Sequence, residues 1–230
     1  MNPRLTLPES GNPYYNTVAA RGYSRAILGS PTVEGRNTLR NCVGYAYGRF
    51  HEIAQRKEMD LFDPVNAENI YGSAGAHGLK LGAFPDPGAA IVWQKGATLN
   101  SSDGAGHIAI VEMMHPSGEI TTSESGWNAK ADFWTETRKP PYLYAAGYKL
   151  LGFIYQPGAQ FDIQKGDSGQ VVAWIQGMLI ARGYLREGEA DGDFGKITLG
   201  AVLAFQLEHG LKVDGIAGYA TRTALMQIYK

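Results

Sequence analysis

The sequence holds one cysteine, Cys42, in 230 residues. That excludes an internal disulfide framework and any cysteine-rich zinc site, and it implies folding in a reducing cytoplasm. No apolar run reaches the roughly 18 residues that a membrane-crossing helix needs. The N-terminal stretch MNPRLTLPESGNPYY lacks a basic segment followed by an apolar one, so no secretory signal peptide is expected. Charge of one sign is lacking too. A net charge of −1 provides no field to hold nucleic acid or an anionic membrane. What the chain does have is 44% hydrophobic residues, enough for one large core or two smaller ones, and thirty glycines that imply many turns.

The cysteine sits at an informative place. After Asn41 come Val43, Ala46, Tyr47, Phe50, Ile53 and Ala54, a stripe at helical spacing that predicts an amphipathic helix from Cys42 to about Lys57. Asn41 is a good N-cap residue immediately before that stripe. Cys42 then occupies the first helical position. Unpaired backbone N–H groups and the positive end of the helix dipole favour the thiolate there, which is the nucleophilic form. The plainer reading is a small buried apolar residue, the commoner fate of a free cysteine.

A nucleophile needs a base, and five histidines are available. His51 is expected on the polar face of the Cys42 helix. His77 lies in the glycine-rich stretch GSAGAHG, read as a loop, and His115 precedes a proline in a turn. His209 belongs to the C-terminal segment. His107 opens GHIAIVE, an apolar β-branched run; MMHPSG then gives a turn and EITTSES a second strand. With the turn centred between His115 and Pro116, His107 lies opposite Glu124. A carboxylate there can hold the imidazole tautomer and stabilise the imidazolium. Asn128, four residues beyond, points to the same face and is an alternative orienting group. A slip of one residue would flip the faces and break the arrangement. The plainer alternatives are a strand-end histidine and a solvent-facing carboxylate.

Near QPGAQ, residues 156–160, the texture changes and a linker is expected. Beyond it the chain echoes itself. DGDFGKIT (191–198) and DGIAGYAT (214–221) both fit D-G-x-x-G-x-x-T, and each precedes an apolar helical run: Leu199, Val202, Leu203, Phe205 and Gln206, then Ala224, Leu225 and Ile228. A tight glycine turn followed by a threonine near a helix start is the physical reading. Another helix, roughly Ser168 to Arg182, precedes them with a Val171, Val172, Ile175, Met178 and Leu179 stripe. Three short helices make a small bundle with a marginal core.

This C-terminal segment resembles the type 1 peptidoglycan-binding domain: Lys165-Gly166-Asp167, Gln176, Gly183-Tyr184, Asp191-Gly192, Phe194-Gly195, Thr198, Phe205-Gln206 and Asp214-Gly215 fall in that family's pattern. The resemblance implies a wall-binding module without catalysis. NCVGYAYGRF, PDPGAAIVW (Pro85 to Trp93) and GHIAIVEMMHPSGEITTSESGWN resemble the CHAP family, cysteine, histidine-dependent amidohydrolases and peptidases of cell-wall metabolism. An alanine follows Gly88 where that family usually has an acid. The resemblance implies an α+β, papain-like domain with N-terminal helices packed on an antiparallel β-sheet. It implies Cys42 as nucleophile, His107 as general base and acid, and Glu124 as orienting group, with Asn128 as the alternative.

The expected organisation is therefore a catalytic domain over 1–156 (core about 36–155), a linker at 157–161, and a peptidoglycan-binding domain over 162–230. The expected activity is hydrolysis of an amide bond in peptidoglycan, as an N-acetylmuramoyl-L-alanine amidase or a peptide-bridge endopeptidase; a catalytically inactive wall-binding adaptor is the alternative of another class. A bacteriophage endolysin fits best, monomeric, held in the host cytoplasm until released to the wall. Peptidoglycan is the expected partner, with no nucleic acid and no membrane insertion. No cofactor or metal is expected. Some CHAP proteins carry an aspartate-rich calcium loop before the cysteine, but GSPTVEGRNTLRN has only Glu34 there, and no HExxH or His/Cys cluster marks zinc. Trp93, Trp127 and Trp134 are candidates for lining the substrate groove, although a buried aromatic is the more frequent use of tryptophan.

Overall fold

A computed structural model describes residues 1–9, 12–15, 41–56, 61–63, 65–95, 105–126 and 131–227. They form two compact units. The first comprises Met1–Glu112, Thr121–Thr137 and Tyr142–Pro157; the second comprises Met113–Ile120, Arg138–Pro141 and Gly158–Lys230.

The first unit is α+β. Helices α1 (Cys42–Ala54) and α2 (Ala67–Ala76) precede six strands: β1 (Leu81–Gly82), β2 (Ala90–Lys95), β3 (His107–Met114), β4 (Ile120–Glu124), β5 (Trp134–Arg138) and β6 (Tyr148–Ile154). The strands form one sheet in the order β1-β6-β2-β3-β4-β5. In the β2–β3 ladder Trp93 faces His107 and Ala90 faces Ile110, antiparallel. Period-two burial then sorts the side chains. Ala90, Val92, Ile108 and Ile110 point to one face, where Val43, Ala46, Tyr47 and Phe50 of α1 and Ala67, Ile70 and Ala74 of α2 cover them. Complete burial of a side chain such as Phe50 contributes about 1.5–3 kcal/mol. The expected stripe of α1 is thus the core face, with Ile53 and Ala54 packed at its margin. The helix ends at Ala54, short of Lys57, because Gln55 adopts a left-handed backbone (φ 54°) and returns its N–H to Glu52 and His51.

Helix α1 has no polar face over its first ten residues; Gly44, Tyr45, Gly48, Arg49 and His51 are buried as well. This corrects the expected exposure of His51. Its ring lies against Tyr47 and Phe62, Nδ1 is 2.7 Å from the Tyr47 carbonyl, and Nε2 accepts the Leu61 N–H at 3.0 Å. A nitrogen that accepts a backbone N–H carries no proton, so the ring is neutral and Nδ1 donates. Opposite the core, the N-terminal segment covers the helix. Arg4 pairs with Glu52 at 2.6 Å, and Asn12 and Tyr15 donate to the same carboxylate. Gly48 permits this approach: a Cβ there would lie 2.6 Å from the Tyr14 carbonyl. Beneath the helix, Arg49 forms a buried ion pair with Glu112 of β3 at 2.8 Å. Ser123 of β4 donates to Glu112 and receives the Tyr45 hydroxyl. One polar network thereby ties α1, β3 and β4 together.

The glycine-rich stretch read as a loop is helical. Residues 72–76 complete α2, and His77 is its C-cap, 3.1 Å from Asp63. Gly75 lets α2 pack closely, since a Cβ there would already lie 3.1 Å from Leu81. Packing here overrides the low helix propensity of glycine.

The second unit contains α3 (Gln170–Ile180), α4 (Lys196–Glu208) and α5 (Tyr219–Gln227). Val172, Trp174, Ile175, Met178, Leu179, Phe194, Val202, Phe205 and Leu225 are among its buried apolar residues; Ile228 lies outside the described residues. The sequence echo has a structural counterpart. In the first repeat Gln176 Nε2 donates to Asp191, the Asp193 carbonyl and Thr198, and its Oε1 accepts the Gly192 N–H. In the second, Gln206 does the same with Asp214, the Ile216 carbonyl, Thr221 and the Gly215 N–H. Each buried amide clasps one glycine turn to the helix that follows. Thr198 and Thr221 serve these clasps as the third residue of their helices.

Candidate active site

The cap of α1 is as the sequence predicts. Asn41 is extended (φ −146°, ψ 124°) and its side chain accepts the Gly44 N–H at 3.0 Å. Cys42 is the first helical residue, half-buried where the flanking residues of the helix are closed off.

His107 begins β3. The residue before it must be glycine: Gly106 has φ +54°, and a Cβ there would sit 2.4 Å from the Trp93 carbonyl. The imidazole is buried. Its Nε2 lies 2.8 Å from Glu124 Oε2. Cys42 lines the same cavity as the ring and, with Glu124, is one of the side chains that favour its charged form. Burial disfavours the charged ring, but the hydrogen bonds and charges of Cys42 and Glu124 outweigh it and raise the His107 pKa to about 9. Glu124 is itself fully buried, and Thr122, two residues back on the same face, donates to its other oxygen at 2.5 Å. Thr122 was not singled out in the sequence; the i, i+2 spacing on a strand is the signal that finds it.

The structure thus brings Cys42, His107 and Glu124 together. Asn128 and Trp127 lie outside the described residues, as does Glu34. The hairpin differs from the expected one. It closes by His115 N–H to the Glu119 carbonyl and Gly118 N–H to His115, a three-residue loop with Gly118 at φ +84°. Counted strictly from that pair, His107 and Glu124 would fall on opposite faces. The contacts Glu112–Ser123 and His107–Glu124 both require the other parity, so a one-residue irregularity separates the turn from the strand bodies.

A cavity of about 460 Å³ opens on the pair, walled by Trp134, Tyr144, Tyr148 and Asn41 around Cys42 and His107. Its described lining includes no lysine, arginine, aspartate or glutamate. Trp134 lines it as expected. Trp93 does not: it is fully buried, with its indole N–H donated to the Tyr142 carbonyl. Among the described residues no group of three or more His, Cys, Asp or Glu side chains is placed to hold a metal, and no helix is long and apolar enough to cross a membrane.

Comparison with known proteins follows the same division. Residues 33–126 match the CHAP domain, and residues 168–225 match the putative peptidoglycan binding domain. A probable N-acetylmuramoyl-L-alanine amidase of Bacillus licheniformis is 42% identical over 64 residues, 27% of this chain and 18% of that protein. A spore cortex-lytic enzyme of Bacillus cereus is 41% identical over 68 residues, 30% of this chain and 26% of the relative. The chain therefore spans about a quarter or less of these relatives' lengths. A solved peptidoglycan-binding protein from Clostridioides difficile, in complex with glutamine hydroxamate, is 25% identical, with 57% of this chain and 66% of that one covered and a TM-score of 0.30. By the two domain matches the chain joins a CHAP domain to a C-terminal peptidoglycan-binding domain.

Proposed function

We propose that the chain is a peptidoglycan hydrolase, an N-acetylmuramoyl-L-alanine amidase that works through a Cys42 thiolate. One observation carries this reading: a buried imidazole bonded through Nε2 to a buried carboxylate, sharing an open cavity with the Cys42 thiol. Sγ attacks the amide carbonyl carbon, and backbone N–H groups at the start of α1, Cys42's own among them, receive the oxyanion. His107 gives its proton to the departing amine as the C–N bond breaks, leaving a thioester. The neutral ring then takes a proton from water as that water attacks, and the thiolate–imidazolium pair returns. Glu124, fixed by Thr122, holds the ring and balances its charge, which is the orienting role otherwise open to Asn128.

The uncharged aromatic wall supports the amidase over the endopeptidase. A sugar ring packs on tryptophan and tyrosine faces, whereas a stem-peptide site would set cations against the peptide's carboxylates. The second unit is proposed to hold the enzyme on the bacterial wall. Mass spectrometry of digested walls tests the assignment: new N-terminal alanine and peptide-free muramic acid are expected, and cuts confined to cross-bridges would refute the amidase. Replacement of Cys42 by alanine should lower wall clearing at least about a thousandfold. Undiminished clearing would refute Cys42 as the nucleophile, whereas a wild-type chain that clears no walls would leave a binding protein.

A further inference from the structure

Three aromatic rings lie nearly parallel to the imidazole of His107. Trp93 is 5.8 Å away at 26°, and Trp134 is 6.5 Å away at 14°. Tyr144 is much the nearest, with centroids 4.1 Å apart and planes 24° apart, a true stacking contact. The chain that delivers it is unusual. Tyr142, two residues earlier, has φ +57°, a left-handed conformation that bulky side chains rarely adopt. It is held there by full burial of its ring and by the Trp93 indole N–H on its carbonyl. Trp93 is in turn the ladder partner of His107 and packs on Tyr144 at 5.4 Å. A strained backbone locked from beneath by the strand neighbour of the histidine, and ending in a ring laid over that histidine, is a built arrangement.

We infer that Tyr144 is a positioning residue for His107: its ring face fixes the imidazole plane, so that one nitrogen stays on Cys42 and the other on Glu124, and its π electrons favour the imidazolium. The inference rests on the reading of His107 as the catalytic base. The hydrogen bond from Nε2 to Glu124 restrains the ring at one edge, and a face contact restrains its tilt. A positive ring against an aromatic face in a desolvated site is attractive, and the gain belongs only to the protonated form. Among the described residues the titratable groups against the ring are Cys42 from α1, Glu124 from β4 and Tyr144 itself. The raised pKa of His107 agrees with an environment that favours charge.

The test uses the full chain and needs no substrate. The pH dependence of Cys42 alkylation by iodoacetamide is followed together with the NMR titration of the His107 ring. Tyr144→Leu removes the face and keeps an apolar side chain; the window of the thiolate–imidazolium pair should narrow from both ends, by about half a pH unit or more at the alkaline limit. Tyr144→Phe keeps the face and should leave both limits in place. Should the leucine variant not fold, Tyr144→Met must give the same shift. Superimposable profiles for the wild-type and non-aromatic chains would overturn the inference, as would an equal shift in Tyr144→Phe. A wild-type chain that alkylates normally yet releases nothing from walls would refute the functional reading alone.

Discussion

Removing the Glu112 carboxylate would break more than one bond. Its two oxygens accept from Arg49 Nε at 2.8 Å, Arg49 Nη2 at 2.9 Å, the Arg4 backbone N–H at 2.8 Å and the Ser123 hydroxyl at 2.7 Å. Four acceptor sites are all that a carboxylate has, and this one is fully buried. In Glu112→Ala the guanidinium of Arg49, only 5% exposed, keeps Glu52 but loses its principal counter-charge. Stranding one partner of a buried ion pair costs about 3–5 kcal/mol. Glu112→Gln keeps the shape, yet in either orientation its NH2 meets an Arg49 N–H, so one charged hydrogen bond is lost and about 1.5–3 kcal/mol with it. Native-state amide exchange along the β2–β3 ladder, at Ala109 and Val111, reads the stability of the first unit without interference from the second. The order expected is wild type, then Gln, then Ala, with the exposed control Glu187→Ala within about 0.5 kcal/mol of wild type. A loss below about 1 kcal/mol for Glu112→Ala would refute the claim that this network braces α1 against its strands.

Gly106→Ala should cost about 2 kcal/mol or more from the left-handed backbone and the clash with the Trp93 carbonyl, and should lower wall hydrolysis by displacing His107, measured by urea unfolding beside turbidity assays. Gln206→Leu leaves the Gly215 N–H without its partner and removes the amide's bonds to Asp214 and Thr221; about 3 kcal/mol should be lost from the second unit, visible as faster exchange of the Gly215 amide. The His107 pKa is raised from 6.5 to about 9, so the ring stabilises the fold when protonated. That contribution is complete below about pH 6.5 and disappears as pH rises through 9; stability should therefore fall over this interval, and His107→Gln should flatten the fall. Activity should decline on the same alkaline side.

Features that obey short-range rules could be read from the sequence. Asn41 caps α1 and exposes Cys42 because capping depends on one residue and its neighbours. The Gln206 clasp sits inside a repeat visible as letters, although nothing in those letters shows that glutamine ties the turn to the helix. His107 and Glu124 meet as expected, but through a three-residue turn and a compensating irregularity, so the right contact came from an incorrect turn. Features set by distant chain were not legible. His51 looks polar on a helical wheel and is buried because Leu61 and Phe62 fold over it. Trp93 looked like a groove residue and instead lies in the core. Tyr144 stands in an irregular connection with no period to mark it, and only the folded sheet brings it onto the histidine.

The grip of residues 1–15 on α1 changes where this module can be cut. Similarity to the CHAP domain begins at residue 33, yet Glu52 receives Arg4, Asn12 and Tyr15, and Arg49 reaches the Asn2 carbonyl. A recombinant chain trimmed at its leading end to residue 33 would keep Cys42, His107 and Glu124 and lack the clamp along the outer flank of α1. Engineers who swap such domains between proteins should transplant the leading fifteen residues together with the cysteine.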